Sequence, residues 1–101
     1  MEPKRHILWV DDEIDMLKPH ILFLEKKGYH VTPVSTGKDA IHFCDEQQVD
    51  LVLLDEMMTG LDGLTTLKKI KEKHSSLPII MITKNEEEWL MEEAIAAQIT
   101  N

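Results

Sequence analysis

Carboxylates stand where two short apolar runs end. Ile7-Leu8-Trp9-Val10 leads into Asp11, Asp12 and Glu13, and Leu51-Val52-Leu53-Leu54 closes on Asp55. Short runs without polar alternation are what strands buried on both faces of a parallel sheet look like. Ligands of such sheets bind just beyond the carboxyl ends of the strands. If the two strands are neighbours, Asp11, Asp12 and Asp55 meet in one crevice. Like charges that close repel, and a bound divalent cation is the simplest way to keep all three ionised. The pattern points to Mg²⁺ chemistry with an oxygen nucleophile.

The elements that would position these groups follow in the order β-α-β-α-β-α-β-α. The first strand is predicted at about Arg5–Val10. A helix follows from about Glu13 to Lys27, with Ile14, Leu17, Ile21 and Leu24 on one face. Lys26 and Lys27 suit its negative end, and Gly28 can take the left-handed stop. Pro19 falls inside this helix, removes one donor, and should kink it or shift its start. The second strand is about His30–Val34. The second helix runs from about Gly37 to Gln47, opened by Thr36 with Asp39 three residues on. The third strand is Asp50–Leu54. The third helix starts after Asp62-Gly63 and is expected to bury Leu64, Leu67 and Ile70. Pro78 introduces a fourth strand at Ile79–Ile82, and Asn85 opens a fourth helix carrying Trp89, Leu90, Ala94 and Ile95.

Strands alternating with helices imply an α/β fold, a parallel sheet with helices on both faces. Right-handed crossovers leave few topologies. A flavodoxin-like, doubly wound sheet of strand order 2-1-3-4 sets the first and third strands side by side at the switch point, where the three aspartates are needed.

Composition bounds the rest. The 101 residues suffice for one domain, and 43% apolar with 30% charged residues describes a globular chain. A formal charge of −8 argues against non-specific nucleic-acid binding. Cys44 is the only cysteine, so no intrachain disulfide can form, and its apolar setting reads as a buried small hydrophobe. No apolar run is long enough to span a membrane and no signal peptide is evident, so a reducing cytoplasm is expected. The five histidines lack ligand spacing, which makes zinc an unfavoured reading. Met57 and Met58 are expected to pack beside their loop, and Lys68-Lys69-Ile70-Lys71 to be a solvated helix face.

Taken singly, each acidic residue has a plainer explanation. Asp11, Asp12 and Glu13 could complement a helix's positive end, and Asp55 could be a turn residue. Taken together they resemble the receiver domain of bacterial two-component response regulators (CheY-like). The matching pieces are Val10-Asp11-Asp12-Glu13, Asp55, Met58 through Asp62-Gly63, and Thr83 closing the fourth strand. The resemblance implies that Asp55 accepts a phosphoryl group from a phosphohistidine on a sensor histidine kinase. It implies Mg²⁺ held by Asp11, Asp12, Asp55 and the Met57 backbone carbonyl. Thr83 would hydrogen-bond the phosphate and shift the surface of the fourth helix to control a C-terminal effector domain or a downstream protein. Receivers commonly pair through that region, which leaves room for a homodimer face including Trp89 and Met91. Such a domain is a signalling module whose only catalysis is its own phosphotransfer and dephosphorylation. Ile7 through Asp15, Leu17 through Ile21 and Ile82-Thr83-Lys84 are similar to the receivers of PorX-type regulators.

Departures from the family pattern are also legible. The chain stops at Asn101, where the family's fifth strand would begin, so the fifth strand, its lysine and the fifth helix are missing from it and an incomplete receiver is expected. Thr59 stands where proline is usual, and Lys84 where a small residue is usual. The alternative is a receiver-fold interaction module that works without phosphorylation. A phosphohydrolase of the haloacid-dehalogenase type is disfavoured, because it needs an aspartate where Met57 stands.

Overall fold

The computed structural model describes residues 4–58 and 60–82. Its elements are β1 (His6–Val10), a 3-10 turn (Ile14–Leu17), α1 (Lys18–Lys26), β2 (His30–Val34), α2 (Gly37–Glu46), β3 (Leu51–Asp55), α3 (Gly63–Lys73) and β4 (Ile79–Ile82). The strands form one parallel sheet in the order β2-β1-β3-β4. The expected doubly wound order 2-1-3-4 is the observed one.

The two central strands carry the apolar runs. Ile7–Val10 and every residue of β3 are buried, because helices cover both faces. Alternation sends their side chains to opposite sides. Ile7, Trp9, Leu51 and Leu53 join Leu17 and Leu24 of the α1 side, with Tyr29 and Val31. Leu8, Val10, Val52 and Leu54 join Ala40 and Cys44 of α2 and Ile70 of α3. Full burial of one such side chain stabilises by about 1.5–3 kcal/mol before entropy is counted. Pro33 cannot donate to a ladder, and it sits on β2, the outer strand.

Local chemistry sets the helix ends. The helix expected over Glu13–Lys27 is divided into a 3-10 turn and α1, with Pro19 in the first turn of α1. A proline there loses only an N–H that would have had no helical partner anyway. Gly28 has φ +97°, and the Tyr29 N–H donates to the Leu24 carbonyl at 3.2 Å, a left-handed helix stop. The Thr36 hydroxyl accepts the Asp39 N–H at 3.0 Å and the Asp62 carboxylate accepts the Thr65 N–H at 2.8 Å, which caps α2 and α3. That bond, with the nearby Lys68 charge, holds the Asp62 carboxyl below its ordinary pKa.

Three expectations need correction. Leu64 is 55% exposed, and Thr66 takes its place on the buried face of α3. Thr66 satisfies its hydroxyl by donating to the Asp62 carbonyl at 2.8 Å, so a polar residue can sit in the core. β3 spans Leu51–Asp55 rather than Asp50–Leu54; Asp50 precedes the strand and exchanges two bonds with His6, its N–H donating to the His6 carbonyl at 2.8 Å and its carboxylate accepting the His6 N–H at 2.7 Å. Met57 is 69% exposed, while Met58 alone packs against the α2–α3 core. The fourth helix, Thr83, Lys84, Trp89 and Met91 lie outside the described residues.

Candidate functional site

Strand register brings the aspartates together. Val10 pairs with Leu54 across β1 and β3, and Asp11 and Asp55 follow or close those strands one residue later. The Asp11 N–H donates to the Val34 carbonyl at 3.0 Å, which carries β1–β2 pairing one residue past the strand. Asp55 is opposite Ile82 of β4, and the Glu56 N–H donates to the Ile82 carbonyl at 3.1 Å.

One carboxylate oxygen each of Asp11, Asp12 and Asp55 lies within 4.8 Å of the other two. Among the described residues this is the one such group of three or more histidine, cysteine, aspartate or glutamate side chains. Asp55 is 1% exposed and Asp11 9%, while Asp12 is open to solvent. The cluster is therefore walled on one side and accessible on the other.

Local backbone bonds fix both inner carboxylates. Asp11 Oδ1 accepts the Glu13 N–H at 2.8 Å, and Asp55 Oδ1 accepts the Met57 N–H at 3.0 Å. Both are bonds to the N–H two residues on, the turn that aspartate favours. Each turns the chain sharply away from its strand.

The donor set suits a hard divalent cation. Three carboxylates at this separation offer only oxygen ligands, and Mg²⁺ takes oxygen ligands while keeping several waters, for which the exposed Asp12 side leaves space. Histidines are engaged elsewhere. His6 Nε2 lies 2.7 Å from the Thr32 hydroxyl and its Nδ1 3.0 Å from the Gln48 carbonyl, and His74 Nε2 lies 3.2 Å from Asp45.

The structure thus assembles three of the residues singled out in the sequence. Thr83 lies outside the described residues, although it follows Ile82, the register partner of Asp55. Two features of the surroundings went unread. His20 is buried beside Trp9, ring centroids 6.0 Å apart, a position that the histidines' lack of ligand spacing did not address. Gly63 packs directly on the Asp55 peptide, a contact not contained in the reading of Asp62-Gly63 as a helix start and a piece of the family pattern.

Comparison with known proteins agrees with this geometry. The family model described as response regulator receiver domain matches residues 7–101. The regulatory protein VanR of Enterococcus faecium is 40% identical over 82 residues, 81% of this chain and 35% of that protein. The chain thus spans about a third of the length of such curated relatives. A CheY-like receiver domain from Methanospirillum hungatei JF-1 superposes with TM-score 0.86 at 20% identity, covering 96% of this chain and 94% of that one. A solved complex of the histidine kinase ThkA with the response regulator protein TrrA contains a chain matching with TM-score 0.75 at 30% identity, over 82% of this chain and 72% of that one.

Proposed function

Because this chain belongs to the response regulator receiver domain family, we propose that Asp55 accepts a phosphoryl group from the phosphohistidine of a sensor histidine kinase, with Mg²⁺ held by Asp11, Asp12, Asp55 and the Met57 carbonyl. The observation that carries this reading is the convergence of three carboxylates within 4.8 Å, one of them almost wholly buried at the end of a central strand.

The chemistry asks little acid–base work of the protein. An Asp55 carboxylate oxygen attacks phosphorus. A P–O bond forms as the P–N bond of the donor breaks, and the bonding pair returns to the imidazole nitrogen. The product is an acyl phosphate. Mg²⁺, when bound, offsets the negative charge on the phosphoryl oxygens. The Met57 N–H holds the nucleophilic carboxylate in place, and its burial in β3 prevents it from swinging away. Attack of water on the acyl phosphate returns Asp55 and releases phosphate, so the domain resets itself and is no enzyme for an outside substrate.

Thr83 is assigned the hydroxyl that receives the new phosphate, supported by its place directly after Ile82. Its movement would alter the fourth helix and so a downstream protein or C-terminal effector domain. The match to the regulator in the kinase complex supports a kinase partner. Met16 and Met57 are 70% and 69% exposed in the two segments that follow the carboxylates, and offer apolar contacts to a docking protein. Residues 1–101 read as one receiver domain in the cytoplasm. Among the described residues no helix is long and apolar enough to cross a membrane.

The test is incubation with Mg²⁺ and acetyl phosphate, followed by intact mass. A phosphate adduct that disappears in Asp55→Asn is the expected result. No adduct on the wild type would sink the reading and leave a phosphorylation-independent interaction module.

A further inference from the structure

We infer that Gly63 is a positioning residue for the phosphoacceptor. The backbone of α3 is seated directly against the Asp55–Glu56 peptide and thereby sets where the Asp55 carboxylate and the Met57 backbone stand. The inference rests on the phosphoacceptor reading above.

Space, not conformational freedom, is what requires glycine here. Gly63 is the first residue of α3 and is not one of the glycines of positive φ. A methyl group on it would lie 2.5 Å from the Asp55 carbonyl oxygen, 3.0 Å from the Glu56 Cα and 3.0 Å from the Met81 Cε. The methionine tip can move. The two backbone atoms can move only if the turn that carries the site moves with them.

Neither side of this contact yields easily. The Glu56 N–H is tied to the Ile82 carbonyl at 3.1 Å, and the Met57 N–H to Asp55 Oδ1 at 3.0 Å. On the other side, α3 is held by its cap at Asp62, by fully buried Thr66 and by Ile70, 1% exposed in the core shared with α2. Withdrawal of α3 would open that core, which is close-packed and resists voids. A bulkier residue at 63 therefore transmits its volume into the turn Asp55–Met57. That turn holds the nucleophile and a carbonyl assigned to the metal. Misplacements well under 1 Å weaken such constellations, and a full 1 Å costs about a hundredfold.

The experiment compares the full wild-type chain with Gly63→Ala and with Ile70→Ala, at a temperature where each is folded by circular dichroism. Mg²⁺ affinity is read by titration calorimetry and the rate of adduct formation from acetyl phosphate by intact mass. Ile70→Ala loosens the α2–α3 core but adds no bulk against the Asp55–Glu56 peptide, so it separates lost packing from the volume pressed into the turn. We expect Gly63→Ala to lose roughly tenfold or more in Mg²⁺ affinity or adduct rate, and Ile70→Ala to lose neither. Equal behaviour of Gly63→Ala and wild type would overturn the inference while the phosphoacceptor reading stands. A wild type that takes up neither Mg²⁺ nor phosphate removes the reading itself and the inference with it. Should Gly63→Ala not fold, amide NMR of the wild type decides. The Gly63 resonance must shift with Mg²⁺ at the same midpoint as Met57, and a Gly63 resonance that stays still refutes the coupling.

Discussion

Asp11 and Asp55 lie one residue beyond the register pair Val10 and Leu54, so two adjacent parallel strands deliver their carboxylates to a single point. Neither residue reaches for the other with a long side chain. The sheet's own hydrogen-bond ladder makes the meeting, and Asp12 completes it from the loop.

Asp12 is the exposed member, so its substitution tests the metal with least harm to the fold. Asp12→Asn removes one negative charge from the cluster and should weaken Mg²⁺ binding by at least about tenfold, or about 1.4 kcal/mol. Calorimetric titration of the two proteins checks this. Equal affinities would place the cation elsewhere.

Asp55→Asn should act on stability in opposite directions with and without metal. In chelator the variant relieves repulsion among carboxylates within 4.8 Å and should gain roughly 1 kcal/mol, a rise in Tm of about 4–8 °C for a domain this small. In saturating Mg²⁺ the wild type gains about 2.7 kcal/mol at a hundred times its Kd, and the variant gains less. Thermal melts in the two buffers should cross over.

A pH effect belongs to the far end of α2. The Asp45 carboxylate meets His74 Nε2 and Lys73 Nζ, each at 3.2 Å, and bridges α2 to α3. The hydrogen bond from His74, then that from Lys73, hold its carboxyl below the usual 3.8. A carboxyl whose pKa is lowered by folding adds stability above its unfolded pKa, and that contribution fades as pH falls through the folded value. Asp45→Asn should therefore lower the Tm slightly near neutral pH, with the difference closing only below pH 3.8. The bridge is exposed and screened, so added salt should shrink the difference too.

Cys44 should be inert in the folded chain. Burial, then the nearby Asp45 charge, pushes its thiol up to about 11, so little thiolate forms near neutral pH. Iodoacetamide should label the native protein far more slowly than the protein in denaturant, read by intact mass. Equal rates would mean that the core of Leu8, Val52 and Ile70 does not enclose the thiol.

The strands were legible because both faces of β1 and β3 are covered, which leaves an apolar run with no alternation to confuse with a helix surface. Their terminal aspartates were legible for the same reason, as sudden charges at the end of that run. The helix through Pro19 was harder. Periodicity marks Ile14, Leu17, Ile21 and Leu24 as one face but cannot say which turn closes as 3-10 and which as α. Leu64 misled because hydrophobicity alone chose it over Thr66, whose hydroxyl is bonded within its own helix. Gly63 was readable as a cap neighbour but not as a seat for Asp55, since that contact joins residues through space. The likeness to PorX-type regulators remains a proposal from the sequence alone.

The two faces of the sheet have a consequence for how this chain can change over generations. Ile7 and Trp9 look toward α1, while Leu8 and Val10 look toward α2 and α3. A volume change on one side meets its compensating partner on that same side, and the two halves need not be revised together. Energies of paired substitutions across the sheet, such as Leu24 with Ile70, should simply add. The aspartates sit at the rim where both halves end, so lineages can repack either interior while the reactive corner keeps its shape.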